Sequence, residues 1–218
     1  AKVLAASKKD LEPKNRRRLF AKIAAGDWDL VILPHSSFKF IGISPETEER
    51  FINDELRVAN EALAEAEADA EPGQRFKPLS VKAAEALILK LENRMDVVRG
   101  KAGKDQLLTF EQMGIDDLTV DESHEFKNLT YSTRLTDVRG MGPAAGSQKA
   151  FDLYTKLRIL HETNGSAAFL TGTPISNSAV EMYTIMRYLA PGVLRDAGLE
   201  HFDAFRAQYV QATEKHEP

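Results

Sequence analysis

Apolar and polar positions divide the chain into three stretches. At the start, Val3-Leu4-Ala5-Ala6 reads as a buried strand. Pro13 can take the first position of a helix, Arg16 to Ala25 continue it, and Gly26 stops it. Leu30-Val31-Ile32-Leu33 is a continuous apolar run, the mark of a strand covered on both faces, and Pro34 ends it. Strand, helix and strand at this spacing predict a parallel βαβ unit. Trp28 stands just before the second strand and is expected in the core rather than on a base-stacking surface.

The middle stretch carries no strand signal. Ile52, Leu56, Ala59, Leu63, Ala66 and Ala70 recur at alternating four and three, the pattern of a helix–helix seam. Pro72-Gly73 breaks it, and a second helical run places Ala84, Leu87, Leu91, Met95 and Val98 on one face. The first helix is strongly acidic and the second stretch basic, and opposite charge along a shared seam favours antiparallel pairing. Residues 44–104 therefore read as a helical hairpin inserted between two strands of a parent fold. A single solvated helix is the competing reading of the same Ala- and Glu-rich composition.

The α/β rhythm then returns. Thr109 can cap a short helix ending at Gly114, Asp117-Leu118-Thr119-Val120 is a strand, and Asn128 to Gln148 is a long loop. Phe151 to Thr163 is an amphipathic helix with Leu153, Leu157 and Leu160 on one face, and Gly165 ends it. Ala167-Ala168-Phe169-Leu170 reads as another buried strand. Val180 to Leu189 is a helix stopped by Pro191-Gly192, and Phe202, Phe205 and Tyr209 mark a last one.

Composition narrows the class. With 218 residues, 43% hydrophobic and 28% charged, the chain can bury a sizeable core. It has no cysteine, so disulfides and thiolate metal sites are excluded. No apolar run approaches the roughly 20 residues that span a bilayer, and nothing resembles a signal peptide, so a cytoplasmic site is expected. The net charge of -4 means that any nucleic-acid contact uses a local basic patch. The sequence starts without methionine and stops in a polar tail, Thr213 to Pro218, which is expected of a piece excised from a longer protein.

Two segments carry candidate chemistry. Asp121 and Glu122, followed by Ser123 and His124, sit at the carboxyl end of a predicted strand, the edge at which open α/β sheets bind ligands. Asp121 can hold a magnesium ion, since hard cations require oxygen ligands. Glu122 can orient and deprotonate a water that attacks a γ-phosphate. The competing reading is a surface Asp-Glu pair that starts a turn. About one crossover further on, Thr171-Gly172-Thr173-Pro174-Ile175-Ser176-Asn177 follows the next strand. Small hydroxyl residues, a glycine and a proline make a tight polar turn able to exchange hydrogen bonds with the acidic motif. A plain strand-to-helix connection with a serine cap is its competing reading.

Together these motifs resemble the Swi/Snf-like group of superfamily-two helicase-type ATPases. Asp121-Glu122-Ser123-His124 is similar to that group's Asp-Glu-x-His box, Phe126-Lys127-Asn128 to the extension after it, and Leu170 to Pro174 with Asn177 to the third helicase motif. Leu30 to Phe38, with His35-Ser36-Ser37-Phe38, resembles a strand and turn lying between the phosphate loop and the acidic box. Asn128-Leu129, Gly172 to Asn177 and His201-Phe202 are similar to segments of large phage- and plasmid-borne proteins that join such a motor to an adenine-specific DNA methyltransferase.

The resemblance implies a RecA-like lobe over residues 1–218, a mostly parallel sheet flanked by helices. It implies ATP and Mg²⁺ as ligands of Asp121, Thr171, Gly172 and Thr173. Asp121 would bind Mg²⁺, Glu122 would be the catalytic base, and His124 would link the site to Thr171 and Thr173. Ser123 replaces the family's usual alanine. A phosphate loop, Gly-x-x-x-x-Gly-Lys-Ser/Thr, is missing: at Gly103-Lys104, Asp105 and Val98 occupy the required hydroxyl and glycine positions. The resemblance places that loop before Ala1 and a second lobe with arginine fingers after Pro218. Weak ATP binding and no turnover are expected of the isolated chain.

Contacts to DNA, duplex above all, are expected from the basic cluster Lys8, Lys9, Lys14, Arg16, Arg17 and Arg18, and from Lys127, Arg134 and Arg139. A solvated helix face is the equal alternative for the first cluster. His35 and His161 are isolated and support no histidine metal site. The function expected of the parent protein is a DNA-dependent ATPase that translocates on or remodels DNA, with a fused methyltransferase as one candidate neighbour. The alternative is a non-catalytic scaffold whose hairpin recruits a partner. The pair Asp121 and Glu122 favours the motor, because a scaffold needs neither.

Overall fold

A computed structural model describes residues 1–69, 78–101, 108–133, 146–176 and 179–210. The described residues form an α/β arrangement rich in helix. Strands β1 (Val3–Ala5) and β2 (Leu30–Ile32) make one parallel pair, connected by helix α1 (Pro13–Ala25). Strands β3 (Asp117–Val120) and β4 (Ser166–Phe169) make a second parallel pair, with α5 (Gln148–Glu162) between them in sequence. The single broad sheet expected from the sequence is thus seen as two two-stranded parallel sheets.

Local chemistry explains the boundaries. Pro13 occupies the first turn of α1, where its missing N–H costs nothing. Gly26 ends that helix, and the Trp28 indole lies where a Cβ at residue 26 would stand, 1.9 Å from Nε1. The turn Phe110–Met113 carries a reciprocal capping box between Thr109 and Gln112 and closes on Gly114 at φ 66°. The Ser44 hydroxyl accepts the Thr47 N–H at 3.2 Å to start helix α3 (Pro45–Ala68). A short helix α2 (His35–Phe38) follows β2.

Helix α3 packs antiparallel on α4 (Leu79–Lys101). Arg94 meets Glu48 at 2.6 Å and Arg99 lies 3.8 Å from Glu49, so the end of α4 sits beside the start of α3. Ile52, Ala59, Leu87, Leu91, Met95 and Val98 form their shared core, joined by Phe151 of α5. Not all of the acidic charge on α3 faces α4. Arg50 makes a two-pronged contact with Glu162 at 2.7 Å, and Asp54 and Glu55 pair with Arg158 and Arg187 at 2.7 Å each. Ala70 of the predicted seam lies outside the described residues.

The main core gathers Leu4, Phe20, Ile23, Ile41, Phe51, Val120, Leu153, Leu157 and Leu160 beneath one face of the strands. The other face is open: Val3, Leu30 and Ile32 are 49–51% exposed, and β4 alternates exposed and half-buried positions. The expectation of strands covered on both faces is corrected here. A continuous apolar run reports that both faces are apolar, and only one is packed by the described residues. Pro191 also differs from its reading as a stop, because it opens helix α7 (Pro191–Asp196) at its first turn. Helices α6 (Ala179–Leu189), α7 and α8 (Phe202–Tyr209) share a third core around Tyr183, Leu194, Phe202 and Phe205.

Candidate functional site

The carboxyl tips of β3 and β4 stand side by side. Val120 pairs with Phe169, Leu170 N–H donates to Val120 O at 2.9 Å, and Ser123 N–H donates to Leu170 O at 3.1 Å. The ladder therefore runs past both strands and fixes the loop 121–124 against the start of the turn 171–174. Ser123 is buried in this seam, and Asp121, Glu122 and His124 are exposed above it.

Glu122 has φ 46° and ψ 45°, a left-handed conformation that costs a non-glycine residue about 1–2 kcal/mol. Asp121 Oδ1 accepts the Glu122 N–H at 2.9 Å and supports that turn. The chain then enters a 3-10 turn, Ser123–Phe126. His124 Nδ1 lies 3.2 Å from Glu122 Oε2 and 3.2 Å from Thr171 Oγ1. A carboxylate only accepts, so this contact requires the Nδ1–H form of the ring. Thr171 Oγ1 in turn accepts the Thr173 N–H at 3.1 Å. Glu122, His124, Thr171 and Thr173 thus form one chain of contacts across the two tips. Gly172 and Thr173 are exposed, and a side chain at Gly172 would meet nothing within 4 Å.

Asp121 suits a hard cation. Its Oδ2 faces no donor among the described residues, and the group is solvent-exposed. Magnesium keeps most of its waters or takes substrate phosphates, and needs one or two carboxylates from the protein. Among the described residues no cluster of three His, Asp or Glu could hold a metal on its own.

The nucleic-acid candidates are scattered. Lys8, Lys9, Lys14, Arg17 and Arg18 are exposed. Arg16 is half-buried, with its guanidinium 3.4 Å over the Phe40 ring and its Nε donating to Leu11 O at 2.8 Å. Lys127 lies 3.0 Å from Ser176 Oγ and 3.0 Å from Glu181 Oε1. Arg134, Arg139 and Asn177 lie outside the described residues.

Several residues that sequence reasoning passed over make buried or ionic contacts near the tips and beyond them. Glu181, 7% exposed in the first turn of α6, receives Lys127 and Ser176. The buried Tyr188 hydroxyl sits 3.0 Å from both Phe126 O and Ala150 O. Arg187 bonds Thr130 O and Glu55. Glu125 contacts Lys149 and His35, which in that order hold its carboxyl below the ordinary value. An acid early in a helix whose sequence neighbours are apolar was the one signal available for Glu181. A cleft of about 540 Å³ opens elsewhere, between α3, α5, α6 and α7. Asp54, Glu55, Arg158 and Arg187 line it and are paired with one another, and no strand-tip residue reaches it.

The loop and strand geometry is that of an α/β protein with a polar site at a parallel strand edge. The whole chain, residues 1–218, matches the family described as Probable helicase domain, and the chain belongs to that family. A stretch of 85 residues is 29% identical to Defense against restriction protein B of Escherichia phage P1. That match covers 38% of this chain and 4% of the phage protein, so the chain spans a small part of that relative's length. No solved structure matches. Among the described residues no helix is long and apolar enough to cross a membrane.

Proposed function

We propose that the chain is the acid-bearing part of a RecA-like motor lobe of the Swi/Snf-like kind, within a longer DNA-dependent ATPase. The helices α3 and α4 are an insertion in that lobe. The observation that carries the reading is the contact chain from Glu122 through His124 to Thr171 and Thr173 across two adjacent parallel strands. The left-handed backbone of the exposed Glu122, beside the exposed Asp121, is the kind of local strain that concentrates at functional sites.

In this reading Asp121 would hold Mg²⁺, which would supply neutralising charge to the phosphates of a bound nucleotide. The Glu122 carboxylate orients a water and takes its proton at Oε1 or Oε2. The His124 Nδ1–H holds that carboxylate in place and reports its state to Thr171. The turn 171–173 presents an exposed hydroxyl and an uncluttered glycine to the same space. The phosphate loop and the second lobe come from the rest of the longer protein, since this chain contains no Gly-x-x-x-x-Gly-Lys-Ser/Thr. The exposed cluster Lys8, Lys9, Lys14, Arg17 and Arg18 is the surface that would meet nucleic-acid phosphates, which we read as those of DNA.

The test is ATP turnover by the longer protein with and without duplex DNA, beside Glu122→Gln. DNA-stimulated turnover that falls at least about a hundredfold in the variant is expected. Turnover that is absent, or that survives Glu122→Gln, refutes the motor in favour of a scaffold.

A further inference from the structure

We infer that Lys127 and Glu181 form a strut that sets the spacing between the loop 121–127 and the turn 171–176, which makes Glu181 a positioning residue and Lys127 its partner rather than a DNA contact. The inference rests on the reading of those two loops as one ATPase site.

The Glu181 side chain is 9% exposed. One of its oxygens, Oε2, accepts the Ser176 N–H, and Ser176 Oγ stands 3.2–3.3 Å from the same carboxylate. The other, Oε1, faces the Lys127 ammonium at 3.0 Å, and that ammonium also reaches Ser176 Oγ at 3.0 Å. Lys127 follows the catalytic loop by the length of one 3-10 turn, and Ser176 ends the polar turn on the neighbouring strand. Among the described residues these contacts join the loop to the turn and to the helix behind it: the Ser123–Leu170 backbone bond, the His124–Thr171 contact, the Lys127–Ser176 hydroxyl bond, and the Lys127–Glu181 ion pair at the outer end. The ion pair joins opposite charges across the gap.

The two ends of the strut are unequal. Lys127 is 32% exposed and can turn to water when its partner is lost. Glu181 is held by its Ser176 bonds and cannot, so loss of Lys127 takes an opposite charge away from a nearly buried carboxylate. That carboxylate draws the 171–176 turn out of register with Glu122. Substitution of Lys127 therefore acts on the chemical step at saturating DNA, and a neutral partner at position 181 relieves it. A lysine that served DNA phosphate would behave otherwise. Its loss would weaken DNA binding and make the salt dependence shallower by about one unit of slope, with turnover at saturating DNA retained.

The experiment uses the longer protein, with wild type, Lys127→Met, Glu181→Gln and the double variant. Turnover, the DNA concentration for half-maximal stimulation, and the salt slope of duplex binding are measured, with thermal melting as the check on folding. Lys127→Met is expected to lower turnover by about tenfold with DNA affinity and salt slope unchanged. Glu181→Gln is isosteric, still accepts the Ser176 N–H, and is expected to lower turnover less. The double variant is expected to recover most of the loss. A shallower salt slope with turnover intact in Lys127→Met overturns the strut, as does a double variant no better than Lys127→Met. If wild type shows no turnover that depends on Glu122, the ATPase reading fails and the strut fails with it. Turnover that depends on Glu122 but is indifferent to both positions overturns the strut alone.

Discussion

Lys156 tests how helix α5 grips the turn after β2. Its side chain is fully buried, at 0% exposure. Its ammonium lies 2.7 Å from Asp152 Oδ2, 3.1 Å from Phe38 O and 4.2 Å from the centre of the Phe38 ring. Burial pushes the Lys156 ammonium below its ordinary value and the Asp152 carboxyl above its own, and each partner opposes the other's shift. Lys156→Met leaves that carboxylate, 21% exposed, without its cation. Breaking a buried pair costs about 3–5 kcal/mol, and the partial exposure puts this case near 3 kcal/mol. Phe38 O is not orphaned, because Ile41 N–H also donates to it at 3.1 Å, so no second penalty is added. Adding Asp152→Asn removes the stranded charge and returns stability to within about 1 kcal/mol of wild type.

Urea unfolding of wild type, Lys156→Met, Asp152→Asn and the double variant at pH 7 gives the cycle, with a coupling of about 2 kcal/mol or more expected. The pH dependence has a definite sign. In Lys156→Met the carboxyl of Asp152 loses the partner that lowered it and rises further above its unfolded value. The folded chain then binds a proton that the unfolded chain releases, so stability of the single variant rises as pH falls from 7 towards 5. The double variant lacks that rise. A single variant within about 1 kcal/mol of wild type, or a double variant no more stable than Lys156→Met, refutes the reasoning.

Three other outcomes are expected. Tyr188→Phe removes the buried hydroxyl shared by Phe126 O and Ala150 O; a loss of about 1–2 kcal/mol and a melting temperature lower by about 3–6 °C should follow, checked by calorimetry. Reversal of charge at Arg17 and Arg18, both exposed, should weaken duplex binding at low salt and flatten its salt dependence, measured by fluorescence anisotropy; Arg16→Ala should lower melting instead, because its guanidinium packs on Phe40.

Much of the local structure was legible because single residues dictate it. Pro13 and Gly26 bound α1, Thr109 and Gly114 bound the short 3-10 turn, and the spacing of Leu87, Leu91, Met95 and Val98 gave the buried face of α4. The adjacency of the two strand tips was legible from their separation, since one helical crossover brings the next parallel strand alongside. Other features depend on tertiary facts that no window of sequence holds. Leu30 and Ile32 look like core, yet nothing in the described residues covers their face. Pro191 both ends α6 and opens α7, and the first role hid the second. Glu181 looks like an ordinary helical acid until Lys127 and Ser176 are seen to close on it. The left-handed backbone at Glu122 has no signature in residue type at all.

The claim that two strand tips act as one unit is tested most directly by a double-mutant cycle on turnover in the longer protein, with His124→Ala, Thr171→Ala and both together. Shared dependence on the 3.2 Å contact predicts that the double variant is about as slow as the slower single one, far short of the product of the two losses. Losses that multiply, with the two positions independent within about 0.3–0.5 kcal/mol, would contradict the account.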